Sequence, residues 1–334
     1  MPPERSAAIS DFLTREGWAA ARAEPLAGDA STRRYLRLRQ GHRRAILMDA
    51  ATDGRTLAFA TIATHLHSLG LSAPAILAAD HDQHLLLLED LGDALFPTVA
   101  ERHPHWQNRL WSSAIDVLVT LGDHPPPSGL PLLDGAEMAR IARMAVDVYQ
   151  PAATGSPAVG QDEFAETLAR IAAPLIAGPP VLMLRDYHAG NLIWLPRRRA
   201  TARVGLLDFQ DAMAAHPAYD LVSLLQDARL DLPQALQAAM IARYCRATGQ
   251  NAGFAAAYAM MGAQRALRII GIFARLALVS AKPQYLQHMP RVWQQLQRNL
   301  AHPALAELAR LCQKQLPEPT DAILNRIKSQ CPTP

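Results

Sequence analysis

The stretch that decides the fold is Leu184-Arg185-Asp186-Tyr187-His188-Ala189-Gly190-Asn191, followed by Leu192-Ile193-Trp194-Leu195, a basic turn, Val204-Gly205-Leu206-Leu207 and Asp208-Phe209-Gln210-Asp211. Val181 to Leu184, Leu192 to Leu195 and Val204 to Leu207 are short apolar runs of the length of buried strands. Twice within 22 residues such a run gives way abruptly to an aspartate, first Asp186 and then Asp208. Taking a carboxylate out of water is costly unless a charge, hydrogen bonds or a metal compensates it. Two carboxylates and the Asn191 carboxamide, placed by a hairpin, make a sensible set of hard oxygen ligands and a proton acceptor. Phosphoryl transfer asks for that combination: a base near the acceptor hydroxyl, and cations on the phosphate oxygens.

Working outward, the chain changes character on either side of this island. Glu24 to Leu26, Arg33 to Arg39 and Arg43 to Met48 read as three short antiparallel strands, separated by the turn residues Gly28-Asp29-Ala30-Ser31 and Gln40-Gly41-His42. Thr56 to Leu69 spaces its apolar residues as a helix does and is stopped by Gly70. Ala75 to Ala79 and His84 to Leu88 supply two further strands, so the first ninety residues read β-β-β-α-β-β. From Glu89 the pattern is helical: Trp106 to Leu121, Ala136 to Tyr149 and Gln161 to Ala177 precede the island, and nearly all of the chain after Asp220 follows it. The expected fold class is α+β and two-lobed. Residues 1–90 form a small antiparallel-sheet lobe with one helix, and residues 91–334 a larger, mainly helical lobe carrying the hairpin.

The spacing Asp-x₄-Asn, then an apolar strand and Asp-Phe, matches the catalytic loop and metal-binding aspartate of kinases. On these residues the chain resembles the aminoglycoside phosphotransferase and choline kinase superfamily over nearly its whole length. Leu85 to Asp93 (LLLLEDLGD) looks like the hinge, and Asp186 to Asn191 (DYHAGN) like the catalytic loop. Leu206 to Leu221 (LLDFQDAMAAHPAYDL) looks like the metal aspartate followed by a helix-opening Asp220 that braces the loop. Within the superfamily, LRDYHAGNLIWL and RIIGIFARL are most similar to the bacterial cell-wall amino-sugar kinases. The resemblance implies a protein-kinase-like fold, ATP and Mg²⁺, and phosphorylation of N-acetylmuramate and/or N-acetylglucosamine at the anomeric hydroxyl during peptidoglycan recycling. It makes Asp186 the group that accepts or orients the hydroxyl proton, and Asn191 and Asp208 the Mg²⁺ ligands. The main chain of Glu89 and Leu91 would bind adenine; Gly28, Asp29, Ala30, Ser31, Thr32 and Arg33 would cover the phosphates. His188, Gln210 and Asp211 fall near the sugar, with Arg185 and Asp220 as structural support.

Several positions depart from that pattern. Leu184 stands where a histidine often frames the loop. The strand expected to carry a phosphate-binding lysine reads Ala45-Ile46-Leu47-Met48-Asp49, and the helix from Phe59 to Leu69 lacks its glutamate partner. The two absences agree, because a buried glutamate without its cation would be uncompensated. Arg33, Arg34 and Arg44 are the nearby cations able to take the lysine's place. Gly28 is the only glycine of the phosphate-covering turn, so Ser31 and Thr32 are expected to supply donors.

Composition narrows the rest. A net charge of +3 over 334 residues, with no Lys/Arg stretch interleaved with aromatics, gives no nucleic-acid footprint. Arg197-Arg198-Arg199 reads as a solvated turn. Three scattered cysteines form neither a disulfide framework nor a zinc motif, and the opening MPPERSAAIS lacks the apolar core of a secretory signal, so the expected compartment is the cytoplasm. Phe254 to Ser280 is the longest apolar stretch, but Gln264, Arg265, Arg268 and Arg275 make it a long core helix and not a membrane span. Those three arginines recur along one face, expected as a solvated face or as the rim of an acceptor pocket. The expected partner is a small sugar, with no membrane, nucleic acid or obligate protein partner. The competing readings are a kinase of another hydroxyl compound (an aminoglycoside, choline or homoserine) and an ATP-binding pseudokinase scaffold.

Overall fold

The alternating runs of the N-terminal region become one antiparallel sheet in the computed structural model, which describes residues 3–26, 33–250 and 253–332. Its strands are β1 (Arg22–Pro25), β2 (Arg34–Gln40), β3 (Arg43–Asp49), β4 (Ile76–Asp80) and β5 (Leu85–Leu88), in the order β1-β2-β3-β5-β4. The registers Leu38↔Ala45 and Leu47↔Leu87 put one apolar set on one face, as the period of two requires. That face is closed by a helix the sequence reading did not foresee, α1 (Pro3–Arg15), so this region holds two helices and not one. Ile9 and Phe12 of α1, with Trp18, bury against Leu38, Ala45, Leu47, Leu85 and Leu87. Only two of its thirteen side chains are buried, which is why α1 carries a weak sequence signal: it is helical because it is packed. Arg5 from α1 and Arg34 from β2 both reach the buried Asp49, at 2.5 Å each.

The second helix, α2 (Thr56–Ser68), lies where expected; α3 (Phe96–Arg102) and α4 (Gln107–Gly122) follow the hinge segment. Pro97 sits in the first turn of α3, where no N–H is needed. The helix expected over Ala136 to Tyr149 is in fact α5 (Gly135–Ala142), a π-helical turn over Ala145–Tyr149 and α6 (Gln150–Thr154), followed by α7 (Gln161–Leu175). The helix Gly253–Ser280 passes close to the chain just before this turn. A Cβ at Gly271 would be 2.6 Å from the Met144 carbonyl carbon, so only glycine permits the approach.

Four three-residue strands then appear: β6 (Val181–Met183), β7 (Leu192–Trp194), β8 (Val204–Leu206) and β9 (Met213–Ala215). β7 pairs antiparallel with β8, and β6 with β9. β9, Met-Ala-Ala, has little strand character of its own; besides β6 it is held by Ala214 N–H to Pro131 O (2.9 Å) and Leu133 N–H to Ala214 O (2.8 Å). The remainder is helical, as expected: α8 (Ala218–Leu225), α9 (Gln234–Thr248), α10 (Gly253–Ser280), α11 (Met289–Leu300), α12 (Ala306–Gln315) and α13 (Asp321–Ser329). No helix among the described residues is long and apolar enough to cross a membrane.

The chain sorts into two compact units. One is built from the chain up to Val117 together with Gly190–Ala212, and the other from Leu118–Ala189 together with the chain from Met213 onward. The β7–β8 hairpin belongs to the first unit because Ser72 pairs with Gly205 and Leu95 with Ile193, and the Ser72 hydroxyl donates to Ala202 O at 2.7 Å.

Candidate active site

In the second unit, β6 leads into the loop that carries Asp186. The backbone turns at Arg185 with φ +72°, a conformation rare for a residue with a side chain and usual at functional sites. What holds it is Asp220, 4 % exposed in the first turn of α8, whose carboxylate oxygens accept the N–H groups of Leu184 (2.5 Å) and Arg185 (3.0 Å). Burial pushes the Asp220 carboxyl up to about 7, while the two backbone donors pull it back. Leu184, in place of a framing histidine, is buried and apolar. Asp186 N–H donates to Leu184 O (2.9 Å) and His188 N–H to Asp186 O (3.0 Å), which close the loop on itself.

The surroundings of Asp186 correct one expectation. Arg265 and Arg268 do not lie on a solvated face; they are 6 % and 9 % exposed, while Arg275 is exposed. Arg268 Nη2 lies 3.8 Å from Asp186 Oδ1, and its Nη1 donates to the Tyr219 hydroxyl at 3.1 Å. Arg265 Nη1 donates to Gln226 O at 2.9 Å. Burial by itself would raise the Asp186 carboxyl, but the positive charges of Arg268, Arg185, His188 and Arg265 outweigh it, and the group is held below the usual carboxylate range. His188, with Nδ1 4.0 Å from the buried Asp227, is driven below the ordinary histidine value by burial.

In the first unit, the register Leu192↔Leu206 brings Asn191 and Leu207 to the same end of the hairpin, where Leu207 N–H donates to Asn191 O at 3.0 Å. Asp208 follows at φ +59°, so the second strand-ending aspartate also sits at a strained backbone position. Phe209 is fully buried and packs on Phe59 of α2 with ring centroids 4.7 Å apart. Gln210 is 2 % exposed, and its amide donates to Asp208 Oδ1 (2.8 Å) and Asp211 Oδ2 (3.4 Å).

Of the three cations expected to replace the lysine, Arg33 is the one that reaches this cluster. It is buried and lies 3.3 Å from Asp208, 3.3 Å from Asp53 and 3.7 Å from Asp211. Arg55 adds a 3.3 Å pair with Asp211. Arg34 is committed to Asp49, and Arg44 is exposed. Among the described residues no three His, Cys, Asp or Glu side chains converge to hold a metal alone. A sparse pair of oxygen donors such as the side chains of Asn191 and Asp208 could hold Mg²⁺, which completes its shell with water and substrate phosphate.

At the end of β5, Glu89 N–H donates to Ala75 O (2.8 Å), and its carboxylate pairs with Arg198 at 2.5 Å. Arg198, read from sequence as part of a solvated turn, thus ties the β7–β8 connection to the end of β5. Asp90 and Asp93 are both held by the buried Arg37 of β2, at 2.9 and 2.7 Å. The turn Gly28, Asp29, Ala30, Ser31 and Thr32 lies outside the described residues. Arg37, Arg198, Tyr219 and Arg268 were not assigned these places from the sequence, because each pairs with a residue distant in the chain.

Residues 22–260 match the model of the phosphotransferase enzyme family. A protein of Caulobacter vibrioides named N-acetylmuramate/N-acetylglucosamine kinase is 39 % identical over 91 % of this chain and 95 % of its own length. One of the same name from Pseudomonas aeruginosa is 32 % identical over 91 % and 92 %. Among solved structures, the choline kinase LicA from Streptococcus pneumoniae aligns with a TM-score of 0.61 at 13 % identity, covering 91 % of this chain and 99 % of that one. The ADP-bound aminoglycoside phosphotransferase APH(2'')-Ib aligns with a TM-score of 0.58 at 12 % identity, covering 89 % and 97 %. These structural likenesses speak to the fold, and the sequence relationships to the family. The chain belongs to the phosphotransferase enzyme family and has the α+β, protein-kinase-like fold of its choline and aminoglycoside kinases.

Proposed function

We propose that this enzyme uses ATP and Mg²⁺ to phosphorylate the anomeric hydroxyl of N-acetylmuramate and N-acetylglucosamine, in the cytoplasm, as a step of peptidoglycan recycling. The observation that carries the reading is the braced loop: Asp186 follows a backbone turn held by both oxygens of Asp220 and faces Arg268 at 3.8 Å. The names of the relatives at 39 % and 32 % identity support the amino sugars as acceptors. Two buried guanidiniums near Asp186 also suit a neutral or acidic sugar better than a cationic aminoglycoside or choline.

In this reading residues 1–90 cover the nucleotide and residues 91–334 hold the loop, the metal ligands and the acceptor. Asn191 and Asp208 would hold Mg²⁺, which would neutralise phosphate charge when bound. Glu89 offers adenine its carbonyl, its N–H being taken by Ala75, and Leu91 offers its N–H. Arg33 supplies the cation that the lysine would have given, and Gly28 to Thr32 cover the phosphates. The amide of Gln210 orients the Asp208 carboxylate; Asp211 and His188 complete the polar surroundings of the acceptor. The acceptor oxygen forms a bond to the γ-phosphorus as the bond to the β,γ-bridging oxygen breaks, ADP leaves with that electron pair, and the hydroxyl proton passes to Asp186. An anomeric hydroxyl is more acidic than an ordinary alcohol, so the demand on the base is mild.

The test is ATP consumption with Mg²⁺ against N-acetylmuramate, N-acetylglucosamine, glucosamine, kanamycin, choline and homoserine, with phosphorus NMR of the product. An anomeric phosphate on an N-acetylated sugar is the expected result. Turnover only with kanamycin, choline or homoserine would overturn the acceptor, and ATP binding without turnover on any of them would favour the scaffold.

A further inference from the structure

The arginine beside the loop has no place in the chemistry above, and its geometry is specific. Arg268 projects from α10, 9 % exposed, with one nitrogen on the Tyr219 hydroxyl and another 3.8 Å from Asp186. Tyr219 is 2 % exposed and immediately precedes Asp220. Two adjacent residues of α8 therefore act on Asp186 by different routes: Asp220 fixes its backbone through Leu184 and Arg185, and Tyr219 fixes the cation that faces its carboxylate.

We propose that Arg268, anchored by Tyr219, is a positioning residue that holds the Asp186 carboxylate in its working orientation and confines turnover to acceptors whose hydroxyl gives up its proton readily. A carboxylate facing a guanidinium is a weaker proton acceptor than one in water, because protonation would forfeit the pairing. Such a group serves a hemiacetal hydroxyl and serves an ordinary alcohol poorly. The other charged groups around Asp186 are Arg265 on the same helix, Arg185 and His188 on the loop, and Asp220 on α8. They remain when Arg268 is changed, so its contribution is separable. This inference rests on the reading of Asp186 as the proton acceptor.

The experiment compares wild type with Arg268→Gln, Arg268→Lys and Tyr219→Phe, each checked for folding by circular dichroism and thermal melting. It measures kcat and KM against pH, on whichever acceptor the wild type turns over. Arg268→Gln is expected to lower kcat by about tenfold to a hundredfold with little change in KM, and to move the acid limb of the kcat profile up by about one to three pH units. Arg268→Lys should recover much of the rate and return the limb most of the way; Tyr219→Phe should shift both slightly in the same direction as Arg268→Gln. An unmoved limb in folded Arg268→Gln, or a rise in KM at constant kcat, overturns the proposal. If Arg268→Gln fails to fold, Tyr219→Phe decides, and an unmoved limb there also overturns it. The Asp186 carboxyl can further be followed without turnover, by ¹³C NMR of aspartate-labelled protein, its signal identified by its loss in Asp186→Asn. A midpoint that does not rise in the variants overturns the proposal. Turnover by wild type of a different anomeric hydroxyl would overturn the amino-sugar reading alone, whereas efficient turnover of an ordinary alcohol such as choline would overturn the acceptor half of this proposal as well.

Discussion

Asp186 and Asp208 arise from the same local pattern, a short buried strand giving way to an aspartate at a strained backbone, and they are held by opposite means. The strain at Asp186 lies one residue earlier, at Arg185, and is fixed through the main chain by Asp220, while the side chain faces the Arg268 guanidinium at 3.8 Å. At Asp208 the strain lies at the aspartate itself, and its carboxylate is gripped by other side chains: the Gln210 amide at 2.8 Å and Arg33 at 3.3 Å. A proton acceptor needs a fixed position and a lone pair still to give. A metal ligand needs compensation for its charge until the metal arrives. In the proposed roles, the same sequence element would serve both needs because the residues that surround it come from elsewhere in the chain.

The comparison breaks most visibly at Asp186. Asp186→Ala is expected to lower kcat by about 10²- to 10⁴-fold while ATP affinity, measured by calorimetry, stays nearly unchanged; a parallel loss of binding would make the residue structural. Asp208→Ala should do the reverse, removing the Mg²⁺ dependence of nucleotide affinity and weakening it by about a hundredfold; an affinity that still responds to Mg²⁺ would take Asp208 out of the metal site. Asp220→Ala leaves the buried Leu184 N–H and the part-buried Arg185 N–H without their acceptor and should cost about 2–6 kcal/mol in denaturant unfolding, about 1–3 for each unmet donor. Arg33→Gln should weaken nucleotide binding by about tenfold, whereas Arg34→Gln, whose partner is Asp49, should not change it.

The last effect is a slope. Burial places the Asp220 carboxyl at about 7 in the folded chain, above its value of 3.8 when unfolded. Between those values the folded protein binds the extra proton, so stability contributed by this group falls as pH rises, by up to about 1.4 kcal/mol per pH unit. Asp220→Asn should flatten the difference in unfolding free energy between pH 5 and pH 7 relative to wild type. An identical slope in both proteins would mean that Asp220 is ionised throughout.

The elements legible in the sequence are those whose cause is local. The alternation of Arg34–Gln40 and Arg43–Asp49, the four leucines of β5 and the helical spacing of α2 appear where they were expected. The Asp-x₄-Asn spacing with its apolar flanks identified the loop and the hairpin end. The missed elements, α1 and β9, owe their structure to partners: α1 to the sheet face it covers, β9 to β6 and to Pro131 and Leu133. The same holds for side chains. Arg268 and Arg198 read as surface charges because the residues they pair with, Asp186, Tyr219 and Glu89, lie dozens of positions away. Arg33 could be named among three cations but not chosen, since the choice depends on which way the chain turns at the start of β2.

The pairing of Ser72 with Gly205 has a consequence for how the molecule comes into being. Chain leaves the ribosome N-terminal end first, yet the first compact unit needs the segment Gly190–Ala212. Leu118–Ala189, which belongs to the other unit, must be made in between. Early in synthesis the edge at Ser72 waits with its hydroxyl and backbone unmet, and the unit closes only after the chain has passed Ala212. Neither unit is contiguous in the sequence, so neither can be completed before chain belonging to the other has been made.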